Sequence, residues 1–405
     1  MHYSIYPTKD TWISSGSRKT DGKSFTEQNF GQDEILELKK EFYNLSFDYP
    51  TWVLLQFDLS DVSKSIEDLQ STNEQIIPST DPSFGSKFYL RLYEAEGNKE
   101  LSSNYQIVAS AVSESWDEGK GKFGSSPQVK DGASWKYRKF PEGGSGINWT
   151  QSGSSYLSAS GVNGQVASQS FSSSKPDIEM NVTDIVIPWL SGSGQVGTQN
   201  LPLTTGSANY GFLLRFSGSQ ETDTENFSQL KFFSSNTNTI YSPKLEVRWD
   251  DHRIITGSTT GSLNALNISA SNADVYTSSV AGDTDHYIYQ IGNRYEYKED
   301  EKVKFRFGAR KRYIQKTFST SVQEASGSFI PEGSGSYSIV DIASGETKVP
   351  FSFYTSMSCD STSPYFIQWL NGFETDRIYK VLIKVKYDDG QEKIFDNDFE
   401  FKIKR

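Results

Sequence analysis

The sequence predicts an all-β protein, with an N-terminal jelly-roll-like β-sandwich followed by a C-terminal Ig-like β-sandwich. Three observations lead there. Sixty serines and 32 glycines stand against three methionines, a composition that favours many turns over long helices. Aromatics make up 14% of the chain while mean hydropathy is −0.58, so large rings must supply the core and short polar residues the connections. Apolar residues recur with period two in short runs, and no heptad pattern appears. At 405 residues the chain has room for two or three domains. The expected division is a sandwich over 1–250, a Ser/Gly/Thr-rich connector with edge strands over 251–290, and a second sandwich over 291–405.

The first half reads as a string of strands. Thr11-Trp12-Ile13 opens it, followed by Ile35-Leu36-Glu37-Leu38. Trp52-Val53-Leu54-Leu55-Gln56-Phe57 is nearly continuous in apolar residues, the mark of a central strand. Phe88, Leu90 and Leu92 alternate with Tyr89, Arg91 and Tyr93, which places large groups on both faces. Ile107-Val108-Ala109 leads into residues 116–138, where Trp116-Asp-Glu-Gly and Gly132-Ala-Ser-Trp135 flank a polar loop. Two indoles beside such a loop predict that it is pinned over a half-buried sandwich rim. Residues 141–176 are Gly/Ser-rich and aperiodic, read as an extended flap or a disordered loop. Val182 to Leu190 reads as a short helix ending near Pro188, and Tyr210–Phe216 and Lys244–Trp249 close the region with strands.

Past the connector, Val303-Lys-Phe-Arg-Phe alternates strictly. Tyr337–Asp341, Lys348–Phe351, Phe366–Leu370, Tyr379–Tyr387 and Phe399–Ile403 follow as further strands, and Asp389-Gly390 is a turn signal. Tyr379, just ahead of an alternating strand, is either a tyrosine-corner analogue or a plain cross-strand aromatic.

Charge and cysteine content exclude several classes. A formal charge of −11 argues against a nucleic-acid coat. The single cysteine, Cys359, excludes an intramolecular disulfide framework and a cysteine-cluster zinc site. No basic-then-apolar leader is visible after Met1, and no run of 18 apolar residues occurs. The expectation is assembly in a cytoplasm without a membrane span.

Catalytic patterns are poor. His2, His252 and His286 lie far apart, and no GxSxG, Walker loop or dinucleotide fingerprint is present. No enzyme activity and no cofactor are expected. Asp117-Glu118 is the one metal candidate, for calcium; more simply, Glu118 caps the loop's own amides while Gly119 supplies unusual backbone angles. Asp250-Asp251 and Asp388-Asp389 read as turn residues. Trp116, Trp135, Tyr137 and Trp149 are interaction candidates. Trp135, Tyr137, Trp149 and Tyr156 sit in a Gly/Ser-rich region, and sugar rings stack on flat aromatic faces; the blander reading makes Trp135 core and Trp149 the anchor of the flap. The basic run Lys302–Lys316, including Arg310, Lys311 and Arg312, is either one solvated strand face or a docking strip for an acidic neighbour.

Nine segments, in order, resemble the DNRLRE-type β-sandwich domains, a family linked to carbohydrate-binding modules. They are Asp10-Thr-Trp-Ile, Asn29-Phe-Gly with Ile35–Leu38, Leu54–Ser60, Leu90-Arg-Leu-Tyr, Trp116-Asp-Glu-Gly, Asp131-Gly-Ala-Ser-Trp, Val182-Thr-Asp, Tyr210-Gly-Phe-Leu-Leu and Pro243-Lys-Leu-Glu-Val. Gln56 stands near the place of that family's arginine, so sugar-binding residues do not carry over. The rest of the chain resembles structural proteins of tailed, T4-like bacteriophages of marine cyanobacteria, through Gly327–Ile339 and Trp369–Tyr379. The resemblance implies a non-enzymatic virion component of the neck, tail or baseplate. Its partners would be other virion proteins, met in a homo-oligomeric ring or other symmetric assembly. The alternative is a carbohydrate-binding module recognising host-surface polysaccharide. No nucleic-acid partner is expected.

Overall fold

A computed structural model describes residues 1–17, 22–43, 46–63, 78–79, 81, 85–97, 106–141, 143–150, 166–170, 177–190, 208–222, 228–251, 286–311, 330, 335–359, 363–386 and 392–405. The chain is all-β and forms two compact units, Ser4–Val247 and Met1–Tyr3 with Arg248–Arg405. No helix among the described residues is long and apolar enough to cross a membrane.

In the Ser4–Val247 unit the larger sheet is ordered β10 (Val166–Ser170), β7 (Gln106–Ala111), β12 (Phe212–Phe216), β4 (Ser46–Phe57), β3 (Ile35–Tyr43), β13 (Ser228–Phe233) and β6 (Glu94–Gly97); β2 (Pro7–Ser14) also pairs with β4. The unbroken apolar run of β4 therefore sits mid-sheet, and Val53, Leu54 and Leu55 are wholly buried. The smaller sheet is ordered β1 (His2–Ile5), β14 (Lys244–Arg248), β5 (Lys87–Leu92) and β11 (Ile178–Asn181). Phe88, Leu90 and Leu92 of β5 point into the core, as their alternation requires.

Two short elements refine the sequence reading. Helix α1 (Thr183–Leu190) ends just past Pro188, as expected. Ile185, Val186 and Leu190 anchor it in the core, while Asp184, whose carbonyl the proline cannot serve, is exposed to water. The expected flap over 141–176 contributes β9 (Ile147–Asn148), paired with β8 (Tyr137–Lys139), and the edge strand β10. Residues 151–165 and 171–176 lie outside the described residues, as do 252–285 of the expected connector.

The second unit stacks two sheets. One is ordered β15 (His286–Gln290), β17 (Lys302–Lys311), β21 (Pro364–Trp369) and β20 (Ser358–Cys359). The other is ordered β16 (Glu296–Lys298), β23 (Glu392–Lys404), β22 (Ile378–Lys386), β18 (Gly335–Asp341) and β19 (Thr347–Val349). Rings meet between the layers: Tyr337 stacks on Phe366 at 3.7 Å and 6°, and Phe305 and Phe307 lie 5.1 and 5.2 Å from Phe401 and Phe399. Tyr379 is fully buried, and its hydroxyl accepts from Glu374 N at 2.8 Å while donating to Glu374 Oε2 at 2.7 Å. A hydroxyl tied to backbone a few residues upstream is the tyrosine-corner arrangement.

Candidate functional site

From Trp116 to Lys136 the chain forms no strand or helix, so its backbone polar groups need partners from elsewhere. Segment 25–33 supplies many of them, and Asn29 is the hub. Its Nδ2 donates to Glu118 O (2.6 Å) and Ala133 O (2.8 Å). Its Oδ1 accepts from Gly121 N (2.8 Å) and Gly31 N (3.0 Å). Two donors and two lone pairs are all that an amide side chain has, and this fully buried one uses them all. Backbone bonds from Asn29 N to Val129 O (2.9 Å) and from Gln32 N to Gly121 O (2.9 Å) complete the seam.

Gly119 makes the close approach possible. Its φ is +84°, and a Cβ there would sit 2.1 Å from Asp131 O and 2.4 Å from Asn29 Oδ1. Only glycine fits. At the outer margin Glu27 holds Lys130 (2.6 Å), Lys136 (2.8 Å) and the Tyr137 hydroxyl (3.4 Å). The hydrogen bonds from the two ammonium groups bring the Glu27 carboxyl down to about 2.

The loop is pinned as its two indoles predict: Trp135 is half-buried as expected, while Trp116 lies deeper than a half-buried rim. Trp116 is 1% exposed and Trp149 5%, both packed with Ile13, Trp52, Leu54 and Leu213. Each can be engulfed because its N–H finds a carbonyl: Trp116 Nε1 donates to Tyr210 O and Trp149 Nε1 to Ser134 O, both at 2.8 Å. Trp135 is half-buried against Trp52 at 4.6 Å. Tyr137 is half-buried beside Phe140 and beneath the Lys136 ammonium. Trp116 and Trp149 thus offer no open face for stacking.

Asp117 and Glu118 do not converge. Asp117 is exposed and pairs with Lys139 at 3.3 Å. Glu118 Oε1 accepts from Asp10 N at 3.0 Å, so it caps an amide of β2 and not one of its own loop. Burial first, then the neighbouring Asp10, push the Glu118 carboxyl up to about 7. Burial also raises Asp10, against the pull of Ser235, whose N–H donates to its Oδ2 at 2.7 Å. No group of three His, Cys, Asp or Glu side chains able to hold a metal occurs among the described residues.

Beside the loop tip lies a cleft of about 290 Å³ lined by Trp12, Asp33, Glu34, Ile35, Glu37, Lys122 and Phe123. Asp33 closes one side, accepting from Phe123 N (2.9 Å) and Trp12 Nε1 (3.1 Å). Burial pushes its carboxyl up to about 6. Phe123 is 45% exposed and packs at 5.5 Å on Phe25. Asn29, Glu27, Asp33 and Asp10 had no functional role in the sequence reading. Their one signal was a polar residue ahead of glycine at Asn29-Phe30-Gly31, facing a loop with glycines at 119, 121 and 132.

Arg310 and Lys311 pair through their backbones with Tyr287 and His286 at the end of β17. Their side chains, and the whole of Arg312, lie outside the described residues. No family model and no curated protein matches the chain.

Proposed function

We propose that the chain is a non-enzymatic structural component of a tailed-bacteriophage virion, an adaptor of the neck, tail or baseplate that works by protein–protein contact. The observation that carries this reading is the build of the 116–138 loop. A loop this long is ordinarily a mobile connection, yet this one is seamed to segment 25–33 and filled from beneath by three indoles. A preorganised surface loses little conformational freedom on docking. At its tip an exposed Phe123 stands beside a cleft with Asp33, Glu34 and Lys122 around it. An aromatic anchor ringed by charge is the usual anatomy of a contact patch.

Repetition in a ring would add avidity to modest contacts. The sequence resemblance to phage structural proteins supports the same reading. Mass spectrometry of purified particles should find the chain in stoichiometric amount, and Phe123→Ala should reduce its incorporation while leaving its unfolding midpoint unchanged. A chain absent from particles and monomeric at every concentration would sink the proposal. Glycan recognition through the 116–149 aromatics is the weaker reading, because two of the three indoles of that region, Trp116 and Trp149, are turned inward.

A further inference from the structure

The outer face of the β15-β17-β21-β20 sheet combines cations with aromatic rings. Lys302, Lys304 and Arg306 alternate along β17 with buried Val303, Phe305 and Phe307, so three cations share one face at steps of about 6.7 Å. Opposite them in register stand Trp369, Ile367 and Tyr365 of β21, all half-buried. Lys302 Nζ lies 5.1 Å from the Trp369 ring centroid and Lys304 Nζ 3.5 Å from that of Tyr365. Aromatic rings thereby hold the cations in place at the surface.

At the next rung the strand carries Gly308, and Tyr289 of β15 fills the space; a Cβ on Gly308 would fall 2.3 Å from the Tyr289 ring. Tyr289 therefore lies across the strand with its other side outward. Tyr287, 45% exposed, sits alongside with its ring nearly parallel, at 6.2 Å and 19°. None of the four strands contains an Asp or Glu, in a chain of net charge −11.

We infer that this face binds an extended acidic polysaccharide. A face that runs along a strand suits an extended chain. Outward tyrosine rings suit the C–H faces of neutral sugars, and the Lys302–Arg306 row suits carboxylates about one sugar or more apart. Single-stranded nucleic acid also stacks on such rings. The chain's net charge of −11 opposes it. The inference goes beyond particle docking and is independent of the 116–138 loop, so its failure would leave that proposal standing.

Affinity electrophoresis of the full chain tests it, with hyaluronan (a uronate on alternate sugars) in one gel and neutral dextran in another. Hyaluronan should retard the chain and dextran should not. Lys302→Gln with Lys304→Gln should weaken retardation about tenfold, and so should Tyr287→Ala, with unfolding midpoints unchanged. No retardation by hyaluronan overturns the inference, as does equal retardation of the variants. Tighter binding to a deoxythymidine oligomer at the same salt also overturns it, in favour of nucleic acid.

Discussion

Two parts of the molecule draw on the same residue types and put them to opposite uses. The 116–138 loop and the outer face of β15-β17-β21-β20 both mix Trp and Tyr with Lys and Arg. At the loop Trp116 and the neighbouring Trp149 point inward, each N–H taken by a carbonyl, and Trp135 is half-buried against Trp52. On the sheet the backbone is satisfied by the ladder, and rings and cations face out. A segment without a ladder must spend its aromatics on being held in place. A segment within one is free to display them.

The largest test of that contrast is a pair of truncations. Trp116→Ala should destabilise the Ser4–Val247 unit by about 3–5 kcal/mol, through lost burial and the cavity left behind. Trp369→Ala should lower the stability of the other unit by less than about 1 kcal/mol, as for a partly exposed ring. Urea unfolding of both variants measures the difference, and equal effects would dissolve the contrast.

Next in size is the seam. Asn29→Ala takes this partner from the Gly121 and Gly31 N–H groups and from two carbonyls, for an expected loss of about 3 kcal/mol. Hydrogen exchange should show the Gly121 amide losing protection first. Retention of that protection would mean that the glycine contacts, not Asn29, hold the loop.

A smaller effect follows from the raised carboxyls. Asp33 sits at about 6 in the folded chain against an ordinary 3.8, and Glu118 at about 7 against 4.5. For these groups the folded state binds the extra proton, so stability falls as pH rises from about 4 to about 7 and is recovered on mild acidification. Glu27, held down at about 2, acts with the opposite sign: its contribution is present above 4.5 and lost as pH falls toward 2. From these three groups the Ser4–Val247 unit should be most stable near pH 4. Asp33→Asn should flatten the limb above that by about 1 kcal/mol, after discounting for its partial exposure. A melting series from pH 3 to 8 checks the sign. The smallest effect belongs to Asp117→Asn, which breaks only an exposed pair with Lys139 and should change stability by less than about 0.5 kcal/mol, with or without added calcium.

The strands were legible because alternation is a local property. Val303–Phe307 reads inward and outward from five residues, and Trp52–Phe57 reads as central because no polar residue interrupts its buried stretch before Gln56. Helix α1 was legible at both ends, because its apolar residues and its proline lie within one short run. The candidate site was half legible. Two indoles and Gly119 marked a pinned loop, whereas the depth of Trp116 and the role of Asn29 were invisible.

What the residues alone determined is the all-β class, the positions of most strands and the presence of a fixed loop, because period-two patterning and turn chemistry act over a few neighbours. Folding in three dimensions decided which rings are buried and which displayed, and which carboxyls are pushed up. Those outcomes rest on partners 89 residues apart for Asn29 and Glu118, and 225 apart for Asp10 and Ser235. A hydrogen bond or a buried charge is set by what surrounds it in space, and sequence proximity carries no record of that.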